Sequence, residues 1–280
     1  MPDPALQRSA ALQMVQVLTM PRLLLRALPW VAGAVGVKAI LQAVGVHPLD
    51  LNPLFSGLVG ANVFLLGFLL AGTLSDYKES ERLPAELAGA LETIADEALL
   101  VHAEHGIPEG AACVEQCADV AASIRTFIVD DVPVDESLVA IRAFNPMFMV
   151  FGPLIQPGFT TRLKGEQGQI RRVLLRIHTI RTTSFVAAGY AIAELTGALL
   201  IIGLELSKLS DHEVESLFFI GVITLLLTYV FLLIRAVDNP FEYEDNRPGA
   251  ADISLQPLVD AEQRLRAAHA ELAPASAPVD

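Results

Sequence analysis

The amino-acid sequence predicts an all-α membrane protein, with four transmembrane helices in two hairpins and a further helical region outside the bilayer. Three observations predict it. Four blocks of about twenty mainly apolar residues stand at 27–46, 54–74, 183–204 and 216–236. Charged residues make up 18% of the 280-residue chain, where a typical soluble chain carries about 25%. The stretches 76–142 and 238–280 are ordinary polar sequence, although mean hydropathy over the whole chain is +0.49. Such alternation marks a bilayer part and a water-exposed part.

Residues 1–26 are read as an N-terminal cytosolic helix. They lack the long apolar core of a secretory leader, so no cleavable signal peptide is expected. The first hairpin covers 27–75: span 27–46 holds Lys38 as its one charge, and span 54–74 follows a short turn through His47, Pro48, Leu49 and Asp50. Residues 76–182 form a cytosolic helical region. Within it, 80–104 places Leu87, Leu91, Ile94 and Ala98 on one face and acids on the other. Gly106 and Pro108 end that pattern, a second amphipathic run covers 109–130, and a third helix is expected over 161–181. Between them, 143–159 is apolar but interrupted by Pro146, Pro153 and Pro157, which defeat a straight spanning helix. It is read as buried packing or interfacial structure, with a re-entrant loop as the alternative. The second hairpin covers 183–236, its two spans joined by a polar loop around Lys208 to Glu215. The segment 237–280 is cytosolic, and its Ala/Pro-rich end, 267–280, is expected to be disordered.

Orientation follows from the basic residues. Arg22, Arg26, Lys78, Arg82, Arg171, Arg172, Arg176, Arg181, Arg235 and Arg247 all flank the same ends of the spans, while the two hairpin loops hold only Lys208. Both termini and the 75–182 region therefore face the cytoplasm. The formal net charge is −13, from 32 acidic and 19 basic residues, which removes nucleic acid as a partner. Cys113 and Cys117 lack the spacing and the histidine neighbours of a zinc site and are read as small buried packing residues, with a disulfide as the alternative. His102 and His105 share a helical face without a carboxylate set to complete a metal site. No phosphate-cradling glycine loop, His-x-x-x-His pair or nucleophile elbow is present, so neither an enzyme nor a cofactor is expected.

Three features remain as candidate sites. On the second span, Gly60, Phe64, Phe68 and Gly72 share one stripe, which Asp76 and Glu79 continue into the cytoplasm. The plain reading is helix packing through small residues. The sharper one is a pore helix over 54–75, with stacked phenylalanine rings gating by dewetting and the two acids charging the mouth. Inside the bilayer, Lys38 and Glu194 fall at similar depth, and their expected arrangement is an intramembrane charge pair, with a charged vestibule wall as the alternative. After the fourth span, Glu242, Glu244 and Asp245 follow Asn239-Pro240-Phe241; clustered oxygen ligands suit a hard cation such as calcium, though composition alone gives an exposed acidic turn.

Two of these stretches resemble the bestrophin family of pentameric ion channels. One is Val63-Phe64-Leu65-Leu66-Gly67-Phe68, with Tyr77, Glu81, Leu83 and Pro84 beyond it, similar to the family's neck pattern Phe-x-x-Gly-Phe and its following polar helix. The other is the fourth span running straight into Asn239-Pro240-Phe241 and acids. The resemblance implies a homopentamer embedded in a lipid bilayer and passing small monovalent ions, with Phe64 and Phe68 as two of three neck rings. The third ring falls on Gly60, where the family has a larger aliphatic residue, so the outer neck is expected to be wider. Ser80 replaces a family tyrosine, and Asp76-Tyr77-Lys78 replaces the family's Arg-Trp-Trp. The calcium clasp is reduced to Glu242, Glu244 and Asp245, and an acidic mouth tilts the expectation toward cations, with chloride as the alternative. A function of another class stays open beside it: a non-conducting membrane scaffold whose cytosolic helices bind a partner.

Overall fold

The computed structural model describes residues 4–46, 48–50, 53–183, 187–210, 212–241, 243 and 252–272. In chain order the elements are α1 (Pro4–Val44), β1 (Leu49–Asp50), α2 (Pro53–Ser80), α3 (Leu83–His105), α4 (Pro108–Val129), α5 (Val134–Arg142), α6 (Phe144–Phe151), α7 (Pro157–Thr182), α8 (Ala187–Leu206), β2 (Ser207–Lys208), α9 (Glu213–Asp238) and α10 (Gln256–Leu272). They divide into two compact units.

The first unit holds α1, most of α2, α8 and α9. Four stretches are long and apolar enough to cross a membrane: Leu23–Val44, the apolar part of Phe55–His105, Gly189–Leu206 and Glu213–Asp238. α1 packs most extensively on α9 and also meets α8. The α2 side chains Leu66 and Leu69 join Ala193 of α8 and Ile234 of α9 in a buried cluster. Gly203 of α8 allows this approach, because a Cβ there would stand 2.7 Å from the Phe55 ring of α2. Outside the helices, β1 and β2 pair in parallel, Leu49 with Ser207 and Asp50 with Lys208, tying one hairpin loop to the other.

α1 runs unbroken from Pro4 through Pro21 and Pro29 to Val44, so residues 4–26 and the first span share one helix. Prolines are tolerated inside helices of membrane proteins, where neighbouring groups and local adjustments re-satisfy the freed backbone.

The second unit is a helical bundle of α3, α4, α5, α6, α7 and α10. Leu87, Leu91, Ile94 and Ala98 of α3 are fully enclosed, facing Cys113, Val114, Cys117, Val120 and Ile124 of α4 among the buried residues. Pro84, Pro108 and Pro157 each stand in the first turn of a helix, where the missing N–H costs nothing. α3 ends at Gly106, whose left-handed φ of 65° lets its N–H bond to the His102 carbonyl at 2.8 Å. At the next turn a Cβ on Gly110 would meet His102 Cβ at 2.6 Å, so this glycine sets the closeness of α3 and α4.

The proline-interrupted segment resolves into α6, with Pro146 in its first turn and Pro153 just beyond its end. Phe144, Phe148 and Phe151 are buried at helical spacing, and Phe144 and Phe148 stack with centroids 5.6 Å apart. A correction falls at the C-terminal end. Residues 267–272, expected to be disordered, belong to α10, which buries Leu258, Ala261 and Leu265 against α3 and α4. Arg264 pairs with Glu92 at 2.6 Å and Arg125 with Glu262 at 3.3 Å along the same contact. Residues 273–280 lie outside the described residues.

Candidate pore helix and intramembrane charges

α2 has two unlike faces. Asn62, Leu66, Leu69 and Thr73 recur at spacings of four, three and four and are all buried. Asn62 donates from Nδ2 to Thr196 Oγ1 of α8 at 2.5 Å, a polar link between membrane helices that the sequence reading did not single out. Thr73 returns its hydroxyl to the carbonyl of Leu69 at 3.1 Å. Phe64 and Phe68 lie on the opposite side, 77% and 59% exposed, although they are the largest side chains of that helical stretch. Gly60 and Gly67 flank them, and a Cβ at either would meet nothing within 4 Å. Gly72 is half-buried, so it stands at the margin of the exposed stripe.

The two acids of the predicted mouth differ. Asp76 is half-buried. Glu79 accepts two hydrogen bonds from the Arg176 guanidinium, from Nη2 at 2.7 Å and from Nε at 3.0 Å. That bidentate pairing offsets its charge, so Glu79 is a weaker source of negative potential than its sequence position suggests.

The pair expected between Lys38 and Glu194 does not form. Lys38 is fully buried, and its ammonium donates to three main-chain carbonyls: Leu204 at 3.0 Å, Glu205 at 2.9 Å and Ser207 at 2.6 Å. Leu204 and Glu205 stand in the last turn of α8, where carbonyls are left without helical partners, and Ser207 lies just past its end. A cation at a helix C-terminus satisfies them and also meets the negative end of the helix dipole. Glu194 instead pairs with Arg235 of α9 at 3.3 Å. The carboxylate beside Lys38 is Glu205, buried in the same place, and its two oxygens find no hydrogen-bond donor among the described residues. Sequence reasoning missed Glu205 because depth along a span was matched to Glu194, whereas the buried face of α8 presents Glu205.

Glu242, Glu244 and Asp245 lie outside the described residues. Among the described residues no three His, Cys, Asp or Glu side chains gather as a metal site. His102 is engaged by Nδ1 with the Ile107 carbonyl at 2.8 Å, a link across the α3–α4 turn.

Fold and helix chemistry together define the class: an α-helical membrane protein in which a largely apolar second helix presents an exposed phenylalanine stripe. Comparison with solved structures then gives the fold. A crystal structure of a bacterial bestrophin homologue from Klebsiella pneumoniae, carrying a single mutation, aligns with a TM-score of 0.68 at 17% identity, covering 90% of this chain and 99% of that one. Another crystal structure of a bestrophin homologue from that organism aligns at 0.68 and 16% identity, over 90% of this chain and 98% of the other. A third, of a mutant described as a membrane protein, reaches 0.70 at 16% identity, over 88% and 97%. No family model matches the chain, and no curated protein matches it in sequence. The protein therefore has the bestrophin fold.

Proposed function

We propose that this protein is a bestrophin-like homopentameric ion channel of the bacterial inner membrane, with both termini and the second helical unit in the cytoplasm. Five copies of α2 surround the pore, and Phe64 and Phe68 form its hydrophobic neck. Small monovalent ions pass, cations in slight preference.

One observation carries the reading: the exposed stripe of Phe64 and Phe68 stands opposite the buried stripe of Asn62, Leu66, Leu69 and Thr73. Lipid contact alone would account for exposed phenylalanines. It does not account for Gly60, Gly67, Ala71 and Ser75 on the same side, since small residues suit close approach of helices. Around an axis, such a stripe leaves a narrow passage with two aromatic constrictions, and an apolar constriction gates by dewetting. Asp76 and the net charge of −13 raise the local concentration of cations at the mouth. The pairing of Glu79 with Arg176 reduces that bias, which keeps the preference slight. A chloride channel of the same architecture is the alternative.

Reconstitution in liposomes tests the proposal. Ion flux is expected, and Phe68→Ala should increase it. The reversal potential in asymmetric NaCl gives the ion: its sign assigns cations or chloride. The mass of the detergent-solubilised particle should correspond to five chains. A folded monomer or dimer without flux under any ionic condition would refute the channel and leave the scaffold reading in its place.

A further inference from the structure

Helices α5, α6 and α7 of the second unit line a cavity of about 400 Å³, a volume within the range of small-molecule sites. Its walls are Leu138 and Arg142 from α5, Asn145 from α6, and Arg171 and Leu175 from α7. The composition is one-sided. Among the described residues neither guanidinium has a hydrogen-bond or ion-pair partner. Among the described residues no carboxylate lines the cavity, although acids outnumber bases by 32 to 19 in the whole chain.

The neutral wall residue is also committed to donation. Asn145 Oδ1 accepts from Lys164 Nζ at 2.6 Å and from Gln167 Nε2 at 3.1 Å. Gln167 is only 6% exposed and is itself anchored to the Ile141 carbonyl at 2.8 Å. With Oδ1 filled from behind, the amide orientation is settled and Nδ2 is left as a donor. Lys164 adds a third positive charge at this place; burial, and then the nearby Arg171, lower its pKa from the usual lysine range. Three like charges without an acid among them are mutually repulsive, and a bound anion relieves that repulsion.

We propose that this cavity binds a small organic anion, its carboxylate or phosphate ester held by Arg142, Arg171 and Asn145 Nδ2 and its short apolar body resting on Leu138 and Leu175. Guanidinium forks match planar or tetrahedral oxyanions with paired hydrogen bonds, which a halide does not exploit. The two leucines add apolar contact that inorganic phosphate leaves unused.

The test is calorimetric titration of the full-length, detergent-solubilised protein with butyrate, succinate and butyl phosphate, and with inorganic phosphate as the comparison, at matched ionic strength. Saturable binding of at least one organic anion, tighter than inorganic phosphate, is expected. Arg142→Gln and Arg171→Gln should each weaken it about ten-fold or more, and Arg142→Lys should weaken it less. Among the described residues both side chains lack partners, so helical content by circular dichroism should not change. No saturable heat from any organic anion, or binding by inorganic phosphate that is equal or tighter, would overturn the proposal. So would a smaller particle mass in Arg142→Gln, since the arginines would then be holding acids of a neighbouring copy. The heat of binding is read without ion conduction, so this result and the channel reading stand or fall separately.

Discussion

The ammonium of Lys38 lies 2.6 Å from the carbonyl oxygen of Ser207, just past the end of α8, and two more carbonyls of the same turn complete its hydrogen bonds. A buried charge at this depth is costly unless it is fully engaged. Here all three donors are used by main chain, so the lysine closes α8 rather than pairing across the bilayer. Lys38→Met should therefore leave three carbonyls buried without donors and Glu205 without its neighbouring charge. A loss of roughly 3 kcal/mol is expected, read as an apparent midpoint lowered by roughly 5–10 °C in detergent. Glu194→Gln should produce a clearly smaller shift, because it touches only the Arg235 contact. Equal shifts in the two variants would contradict the capping role.

The core of the second unit predicts a different scale. Leu91 is fully enclosed at the α3–α4 contact. Leu91→Ala should cost about 2–5 kcal/mol, the range for a truncated core leucine whose surroundings relax only in part. Protease resistance of the second unit is the convenient readout. A variant with unchanged resistance would show that this contact is dispensable.

How much was legible in the sequence depended on which atoms carried the information. The α3 stripe of Leu87, Leu91, Ile94 and Ala98 was readable because side-chain spacing alone encodes it. α10 was not, although Leu258, Ala261 and Leu265 follow the same spacing. Its apolar stripe is thin, and the Ala/Pro-rich end beside it weakens the helical signal. The partner of Lys38 was illegible for a deeper reason: the acceptors are backbone carbonyls, which every residue owns, so no side-chain pairing rule points to them. The cavity at Arg142 and Arg171 likewise depends on how α5, α6 and α7 fold together, and nothing in spacing joins those arginines.

The two cysteines give a chemical prediction. Cys113 and Cys117 are free thiols, fully buried in α4, and burial pushes the Cys117 thiol well above its ordinary range. The thiolate is the reactive form. Maleimide labelling of the native protein near neutral pH should be negligible, and labelling in denaturant should reach both residues. Rapid native labelling would mean that α4 opens readily.

Helix α10 makes its contribution through apolar contact and ion pairs together. Leu258 is fully buried, and Arg264 reaches Glu92 at 2.6 Å. Leu258→Asp places a charge in an apolar site and should release the helix, because a buried unpaired carboxylate costs more than the contact supplies. Arg264→Ala removes only an ion pair of exposed side chains, expected at about 0–1 kcal/mol. Limited proteolysis should therefore trim α10 in the first variant and spare it in the second.

Gly60 offers the cleanest trial of the pore axis. A Cβ there meets nothing within 4 Å of the chain's own atoms, so the fold of one copy tolerates a larger side chain. Replacing a mid-helix glycine also removes a conformational cost of about 1 kcal/mol. Gly60→Leu should consequently leave thermal stability equal or higher. If five copies of α2 face one axis, the same substitution adds a third apolar ring outside Phe64 and narrows the passage where the neck is widest. Flux through liposomes should then fall several-fold, while Phe68→Ala moves it in the opposite direction. A leucine at this position that changes neither flux nor particle mass would place Gly60 away from any axis, and Phe64 and Phe68, one and two turns further along the same stripe, would go with it.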